Sequence, residues 1–167
     1  RVFVIEPRDA TWRGNPDKPV ALSLIGLIHG IEVAGLGVMC GFLELIVQDV
    51  IKLNVSIGIA LGNPAAACQA VRFTERDLNR SFGRAHSQLL EEKRADELET
   101  LLLKSRYFID FHQVRLPVAS AFWIFPYTKG GYDFARAIGP DVPLITHWGK
   151  GFSADGQCSD EFVNKNG

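Results

Sequence analysis

The sequence predicts a three-layer α/β fold, in which helices flank a mostly parallel, mixed sheet. Short apolar runs, nearly free of polar residues, are typical of strands that are buried on both faces of such a sheet. Helical segments alternate with these runs along the chain, which favours parallel strands joined by helices over an all-β arrangement. The 167 residues suffice for one hydrophobic core. We therefore expect a single α/β domain over residues 1–167.

The first half of the chain contains two predicted strands and one helix. Residues 20–28 form an almost unbroken apolar run that is broken by His29-Gly30, and residues 55–61 form a second such run. Between them, residues 32–50 are mostly apolar and free of proline, which favours a helix packed on the sheet. A loop-rich stretch over residues 65–84 follows.

The second half continues the alternation. Residues 87–104 carry leucines on one face and charges on the other, which predicts an amphipathic helix with Ser87 as its N-cap. Apolar segments at 107–111, 121–125 and 143–148 are predicted strands, and residues 132–138 a short helix. Each strand-like segment is thus separated from the next by a turn or a helix.

The overall charge and the cysteines exclude several classes of partner. Lys plus Arg total 18 and Asp plus Glu total 19, so the formal net charge of −1 gives no basic surface for a nucleic acid or an anionic membrane. No continuous apolar run is long enough to predict a membrane span. Cys40, Cys68 and Cys158 lie far apart without a metal-binding spacing, which indicates free thiols in a reducing, cytoplasmic setting.

A set of metal-ligating residue types falls at the ends of predicted strands. His29 and Glu32 follow the first buried strand, and His112 follows the strand at 107–111. Because ligands bind outside the carboxyl ends of strands in open α/β sheets, these side chains can meet as a His2Glu zinc site. Asp110 could orient a ligating imidazole. The spacing alone leaves open that these are ordinary polar residues at strand ends.

A second polar group lies in the loop-rich stretch between the two metal-binding segments. Arg72, Asn79 and Arg80 could bind a carboxylate, and Arg72 could also stabilise an oxyanion. Asp77 could hold the loop or pair with an arginine. The alternative is a solvated charged loop whose ion pairs contribute little.

Four motifs connect these groups: HGIE at 29–32, LGNPAA at 61–66, VRFTERDLNRSFG at 71–83 and IDFH at 109–112. In this order they resemble the succinylglutamate desuccinylase/aspartoacylase family, a branch of the zinc carboxypeptidase-like hydrolases. The resemblance implies a zinc carboxypeptidase-like fold and one Zn²⁺ ion. The residues it implies are His29, Glu32 and His112 as metal ligands, Arg72 at the scissile carbonyl, and Asn79 with Arg80 at the substrate carboxylate.

The resemblance also implies a glutamate general base on a later strand. Glu161 is the only glutamate after His112, and its polar surroundings predict a turn rather than a strand. We therefore expect the base beyond Gly167 and interpret residues 1–167 as a catalytic domain truncated at its C-terminal end. The two remaining histidines, His86 and His147, are interpreted as surface and packing residues.

The expected activity is zinc-dependent hydrolysis of the amide bond of an N-acyl amino acid, with a small carboxylate-bearing amide as substrate. The sequence leaves two alternatives open. One is a carboxypeptidase-like peptidase that acts on short peptides, and the other is a domain that binds a carboxylate without turning it over. A homo-oligomer is also compatible with the sequence.

Overall fold

The main sheet contains four strands of mixed direction. The computed structural model describes residues 2–7, 16–84, 88–147 and 154–166. In chain order the strands are β1 (Val2–Ile5), β2 (Val20–Gly26), β3 (Ile57–Leu61) and β4 (Ser105–Phe111). In space their order is β1-β3-β2-β4, with β2 parallel to both β3 and β4, and β1 antiparallel to β3.

Two further strands form a separate sheet. β5 (Trp123–Pro126) and β6 (Leu144–His147) pair in parallel with each other. The alternation of apolar segments predicts the strands but not this division, because a sequence period does not say which strands pair.

Helices cover both faces of the main sheet, which confirms the predicted three-layer α/β class. The helices are α1 (Ala34–Val47), α2 (Pro64–Cys68), α3 (Leu90–Leu103), α4 (Lys129–Ile138) and α5 (Ser159–Asn166). On the α1 face, Met39 packs with Leu24 and Ile59. On the opposite face, the core includes Leu98 of α3 and Phe162 of α5. Within the described ranges, no helix is long and apolar enough to cross a membrane.

The structure departs from the predicted elements at several points. Residues 2–5 form the antiparallel edge strand β1, which the sequence analysis did not assign. The loop-rich stretch contains α2 and a 3₁₀ turn at Leu78–Arg80. Helix α3 begins at Leu90 with Leu89 as its N-cap, and that cap makes no side-chain hydrogen bond. The predicted cap Ser87, like His86 before it, lies outside the described residues.

The first turn of α3 holds the loop that precedes it. Glu91 is 1% exposed. Its Oε1 accepts hydrogen bonds from the Thr74 amide and Thr74 Oγ1, both at 2.6 Å, and from Asn63 Nδ2 at 3.0 Å. Its Oε2 accepts from the amides of Glu75 and Arg76, both at 3.2 Å. One buried carboxylate therefore fixes residues 74–76 and the end of β3.

Acid should remove the stability that Glu91 contributes. Burial raises the pKa of Glu91, but the hydrogen bonds from Thr74, Asn63 and Glu75 outweigh it and lower the pKa from 4.5 to about 2. Because the folded pKa is below the unfolded one, the contribution, about 3 kcal/mol, is present above pH 4.5 and is lost as the pH falls towards 2. Urea unfolding of the wild type and Glu91→Gln between pH 7 and 3 measures it. The stability gap should narrow below pH 4.5, and a gap independent of pH contradicts the assignment.

Candidate metal centre and adjoining loop

The chain turns sharply after β2 and brings His29 to the carboxyl edge of the sheet. Leu27 adopts a left-handed backbone conformation with φ of 66°, which is costly for a residue with a side chain. The Leu27 carbonyl accepts a hydrogen bond from the Asn63 amide at 2.7 Å, so the turn is tied to the end of β3. The strained turn places His29 where its side chain is almost fully buried.

Gly30 lets two other segments approach His29 closely. A Cβ atom at residue 30 would lie 2.4 Å from backbone atoms of Ala66 and Ala67, and 2.5 Å from the Val71 carbonyl oxygen. The Gly30 amide donates a hydrogen bond to the Arg72 carbonyl at 3.0 Å. Because a side chain has no room here, glycine allows α2 and the Arg72 segment to pack against the turn.

The structure brings His29, Glu32 and His112 together. His29 Nδ1 lies 2.8 Å from Glu32 Oε1, and His112 Nδ1 lies 2.9 Å from Glu32 Oε2. One ligand atom from each of the three residues lies within 4.8 Å of the other two. His29 and Glu32 are buried, whereas the His112 side chain is 34% exposed. The cluster is therefore reachable from solvent on the His112 side.

The outer nitrogens of both imidazoles face carboxylates. His29 Nε2 lies 3.0 Å from Asp77 Oδ1, and His112 Nε2 lies 3.2 Å from Asp110 Oδ2. A carboxylate at Nε2 favours a proton there, so Nδ1 is the nitrogen that would offer its lone pair to a metal ion bound beside Glu32. Two such lone pairs and one carboxylate are a donor set that suits a divalent zinc ion with an open position. The residues present therefore fit the metal that the motifs imply.

The electrostatics of the cluster also favour a cation. Burial lowers the pKa of His112, but Asp110 and Glu32 outweigh it and raise the pKa to about 10. Burial likewise lowers the pKa of His29, and the hydrogen bonds with Asp77 and Glu32 raise it above its ordinary value. Burial raises the pKa of Glu32, but the two imidazoles hold it well below the usual range. Three carboxylates thus stabilise positive charge around the imidazoles.

Arg72 lies beside the cluster. Its Nη1 donates to Glu32 Oε1 and its Nη2 to Asp77 Oδ2, both at 3.3 Å. Nη2 also lies 2.8 Å from His29 Nε2. Because a guanidinium can only donate, a hydrogen bond to Nε2 requires that nitrogen to be unprotonated, the opposite of what the Asp77 contact requires. The Arg72 side chain is 36% exposed, so its guanidinium can reach a ligand at the cluster.

The Asn79–Arg80 pair belongs to the same loop. Asp77 caps the 3₁₀ turn by accepting a hydrogen bond from the Asn79 amide at 2.9 Å. Arg80 Nη1 donates to the Asn79 carbonyl at 2.5 Å. Both residues are half-buried. Asp77 therefore joins the predicted carboxylate-binding pair to the predicted metal ligand His29.

A family model decides which proteins this chain is related to. The model, described as the succinylglutamate desuccinylase/aspartoacylase catalytic domain, matches residues 19–152, which include all four motifs. The chain belongs to the succinylglutamate desuccinylase/aspartoacylase family. The resemblance predicted from the motifs is confirmed.

Individual members of the succinylglutamate desuccinylase/aspartoacylase family agree with this assignment. The succinylglutamate desuccinylase of Burkholderia pseudomallei is 30% identical over 138 residues, which cover 74% of this chain and 38% of that protein. That of Shewanella amazonensis is 28% identical over 170 residues, which cover 87% and 47%. The crystal structure of the Chromobacterium violaceum enzyme superposes with a TM-score of 0.70 at 25% identity, covering 89% and 52%. This chain spans less than half the length of these two curated relatives.

The segment around Glu161 differs from its prediction in this family member. The turn predicted around Glu161 is wrong, because residues Ser159–Asn166 form helix α5, with Phe162 and Val163 packed against the core. Glu161 Oε2 accepts a hydrogen bond from the Cys158 amide at 3.1 Å, so this carboxylate caps the helix start.

Sequence reasoning also missed a residue that joins two parts of the site. Ser159 Oγ donates to Asp110 Oδ2 at 2.7 Å, and the Ser159 amide donates to Asn79 Oδ1 at 3.4 Å. Ser159 therefore links the partner of His112 to the Asn79–Arg80 pair. No local pattern signals this contact, since Ser159 lies 49 residues from Asp110.

Proposed function

We propose that this chain is the catalytic part of a zinc-dependent hydrolase that cleaves the amide bond of an N-acyl amino acid. The observation that carries the proposal is the convergence of His29 Nδ1 and His112 Nδ1 on the Glu32 carboxylate. Membership in the family supports it, and the named relatives are succinylglutamate desuccinylases, which supports an N-acyl amino acid as the substrate class.

His29, Glu32 and His112 would hold one zinc ion. Bound there, zinc supplies a Lewis acid that polarises a carbonyl and lowers the pKa of water towards about 7. Asp110 faces Nε2 of His112, and Asp77 and Arg72 both face Nε2 of His29, so Nδ1 of each imidazole is the nitrogen that would bind the metal.

Arg72, Asn79 and Arg80 would act on the substrate. Arg72 lies beside Glu32 and is partly exposed, so its guanidinium can donate to the scissile carbonyl oxygen as negative charge develops on it. The guanidinium of Arg80 and the side-chain amide of Asn79 are donors of the kind that bind a substrate carboxylate. The base that moves a proton from water to the leaving amine remains the glutamate predicted beyond residue 167.

Two arginine variants separate these roles. In the full-length protein, Arg72→Ala should lower kcat about 100-fold or more with a smaller change in KM, because its bond to the carbonyl strengthens as the oxyanion forms. Arg80→Ala should raise KM about 10-fold or more and leave the zinc content unchanged, because it removes a charged hydrogen bond to the substrate. Initial rates on N-acyl amino acids and zinc analysis measure both.

Arg106→Ala is the matched control, because Arg106 lies near the start of β4, whereas His112 follows the end of that strand. Its kinetics should equal those of the wild type. Full activity in the Arg80→Ala protein would contradict the carboxylate role. Parallel assays of N-acyl amino acids and short peptides distinguish the deacylase from a carboxypeptidase-like peptidase, and the proposal fails if only the peptides are cleaved.

A further inference from the structure

We infer that Glu91, a buried carboxylate on α3, is a positioning residue that sets both Asp77 and Arg72 against the metal ligand His29. This inference rests on the proposed function. Glu91 contacts neither the metal ligands nor the Asn79–Arg80 pair through any hydrogen bond among the described residues, so its effect has to pass through the loop that it holds.

The carboxylate of Glu91 is the point where three segments meet. Five donors converge on it, from Asn63, from the hydroxyl and amide of Thr74, and from the amides of Glu75 and Arg76. Three successive amides directed at one anion form an anion-binding nest, and the first turn of a helix adds a favourable dipole. The charge is therefore stabilised by neutral donors whose positions are fixed by the backbone.

The segment held in this way lies between the two residues that contact His29. Arg72 precedes Thr74 by two residues, and Asp77 directly follows Arg76. The lock is reciprocal, because Glu75 Oε2 accepts a hydrogen bond from the Leu90 amide at 2.5 Å, at the start of α3. A shift of residues 74–76 must therefore move Asp77 away from His29 Nε2, or Arg72 away from Glu32.

Glu91 also acts on the other side of His29. Asn63 donates to Glu91 through Nδ2 and caps α2 through Oδ1, which accepts from the Ala66 amide at 3.1 Å. Helix α2 is the element that packs against Gly30. The two loops that flank the metal ligand thus share a single buried anchor.

The Glu91→Gln substitution tests this with little change in shape. Whichever way the amide is oriented, its NH2 group faces at least two of the five donors, so the nest cannot be satisfied. Because Asp77 would no longer be fixed on His29 Nε2, we expect zinc affinity to fall about 10-fold to 100-fold, the range typical of lost partners behind metal ligands. Competition with a chromogenic chelator measures the affinity without substrate. In the full-length protein, kcat should fall more than KM rises.

Glu92→Gln is the matched control. Glu92 is the next residue of the same helix turn, is 5% exposed, and approaches the Arg76 side chain at 3.8 Å. Its zinc affinity should stay within about 2-fold of the wild type. A double-mutant cycle gives the sharper test, because the effect of Glu91→Gln on zinc affinity should be smaller in an Asp77→Ala background if part of it acts through Asp77. If Glu91→Gln acted by a general loss of packing, its effect on zinc affinity would be unchanged in the Asp77→Ala background.

The milder variant Thr74→Val removes one of the five donors and serves if Glu91→Gln does not fold. It should weaken zinc binding about 3-fold, and in the full-length protein it should again lower kcat more than it raises KM. Wild-type zinc affinity in folded Glu91→Gln or Thr74→Val protein would overturn the inference, as would an undiminished effect in the Asp77→Ala background. A different result would overturn the proposed function instead of the inference. In that case zinc affinity falls in the Glu91→Gln protein, but the wild-type protein hydrolyses no amide.

Discussion

Replacing His112 by alanine should abolish tight zinc binding while the protein remains folded. His112 supplies one of three predicted ligand atoms, and the two that remain, from His29 and Glu32, cannot hold a catalytic zinc ion tightly. The residue follows the end of β4 and its side chain is 34% exposed, so its removal leaves the core intact. Zinc affinity should fall more than about 100-fold, which exceeds the effect of losing a residue that only supports a ligand, and the protein should still unfold cooperatively in urea. Chelator competition and urea unfolding measure the two quantities.

His86→Ala is the control for a general effect of removing a histidine. The sequence analysis gives His86 no role in the metal site, so this variant should bind zinc as the wild type does. Equal zinc loss in both variants would indicate non-specific binding to histidines. Unchanged affinity in the His112→Ala protein would remove the basis of the proposed chemistry, because the remaining two ligands do not define a catalytic site.

The strands that precede the predicted metal ligands could be predicted because their signal is local. The apolar runs that became β2 and β3 are buried on both faces, and such runs contain few polar residues. His29 follows a run of this kind and His112 follows the half-buried strand β4, and parallel strands bring their carboxyl ends to one edge. The registers Leu24–Ile109 and Gly26–Phe111 bring those ends side by side.

The residues that support the ligands could not be predicted in the same way. Asp77 was expected to bond to its own loop or to an arginine, and it does both, but its contact with His29 spans 48 residues of sequence. Glu91 looked like one more charge on an amphipathic helix, although it is almost fully buried. Its burial depends on how the loop at 74–76 folds over it, and the spacing of apolar residues along the helix does not predict that loop.

Edge and terminal elements were missed for a different reason. The residues of β1 are largely exposed, and a strand with one neighbour contributes little to the core. Helix α5 has only two apolar residues near its centre, Phe162 and Val163, so its polar composition hides the contact it makes with the core. In both cases the tertiary neighbours, rather than the local sequence, decide the structure.

Gly30→Ala should be among the most damaging single-methyl substitutions in this chain. The added Cβ would lie 2.4 Å from backbone atoms of Ala66 and Ala67, which cannot move as a flexible side chain can. Overpacking against backbone should cost about 3 kcal/mol or more of stability. Because His29 precedes Gly30 directly and the Gly30 amide is bonded to the Arg72 carbonyl, relief of the clash must displace His29, the predicted metal ligand, or Arg72. The urea concentration at the unfolding midpoint and the zinc affinity should therefore both fall.

Gly37→Ala provides the contrast that makes this result specific. Gly37 lies within α1, and an added Cβ there meets nothing within 4 Å. Since alanine favours a helix over glycine, this variant should gain about 0.5–1 kcal/mol of stability and keep wild-type zinc affinity. The same methyl group thus has opposite effects at two glycines seven residues apart, because only one of them lies between the metal ligand and its supporting loops. Equal stability of the Gly30→Ala and Gly37→Ala proteins would show that the close packing around residue 30 does not hold the metal centre.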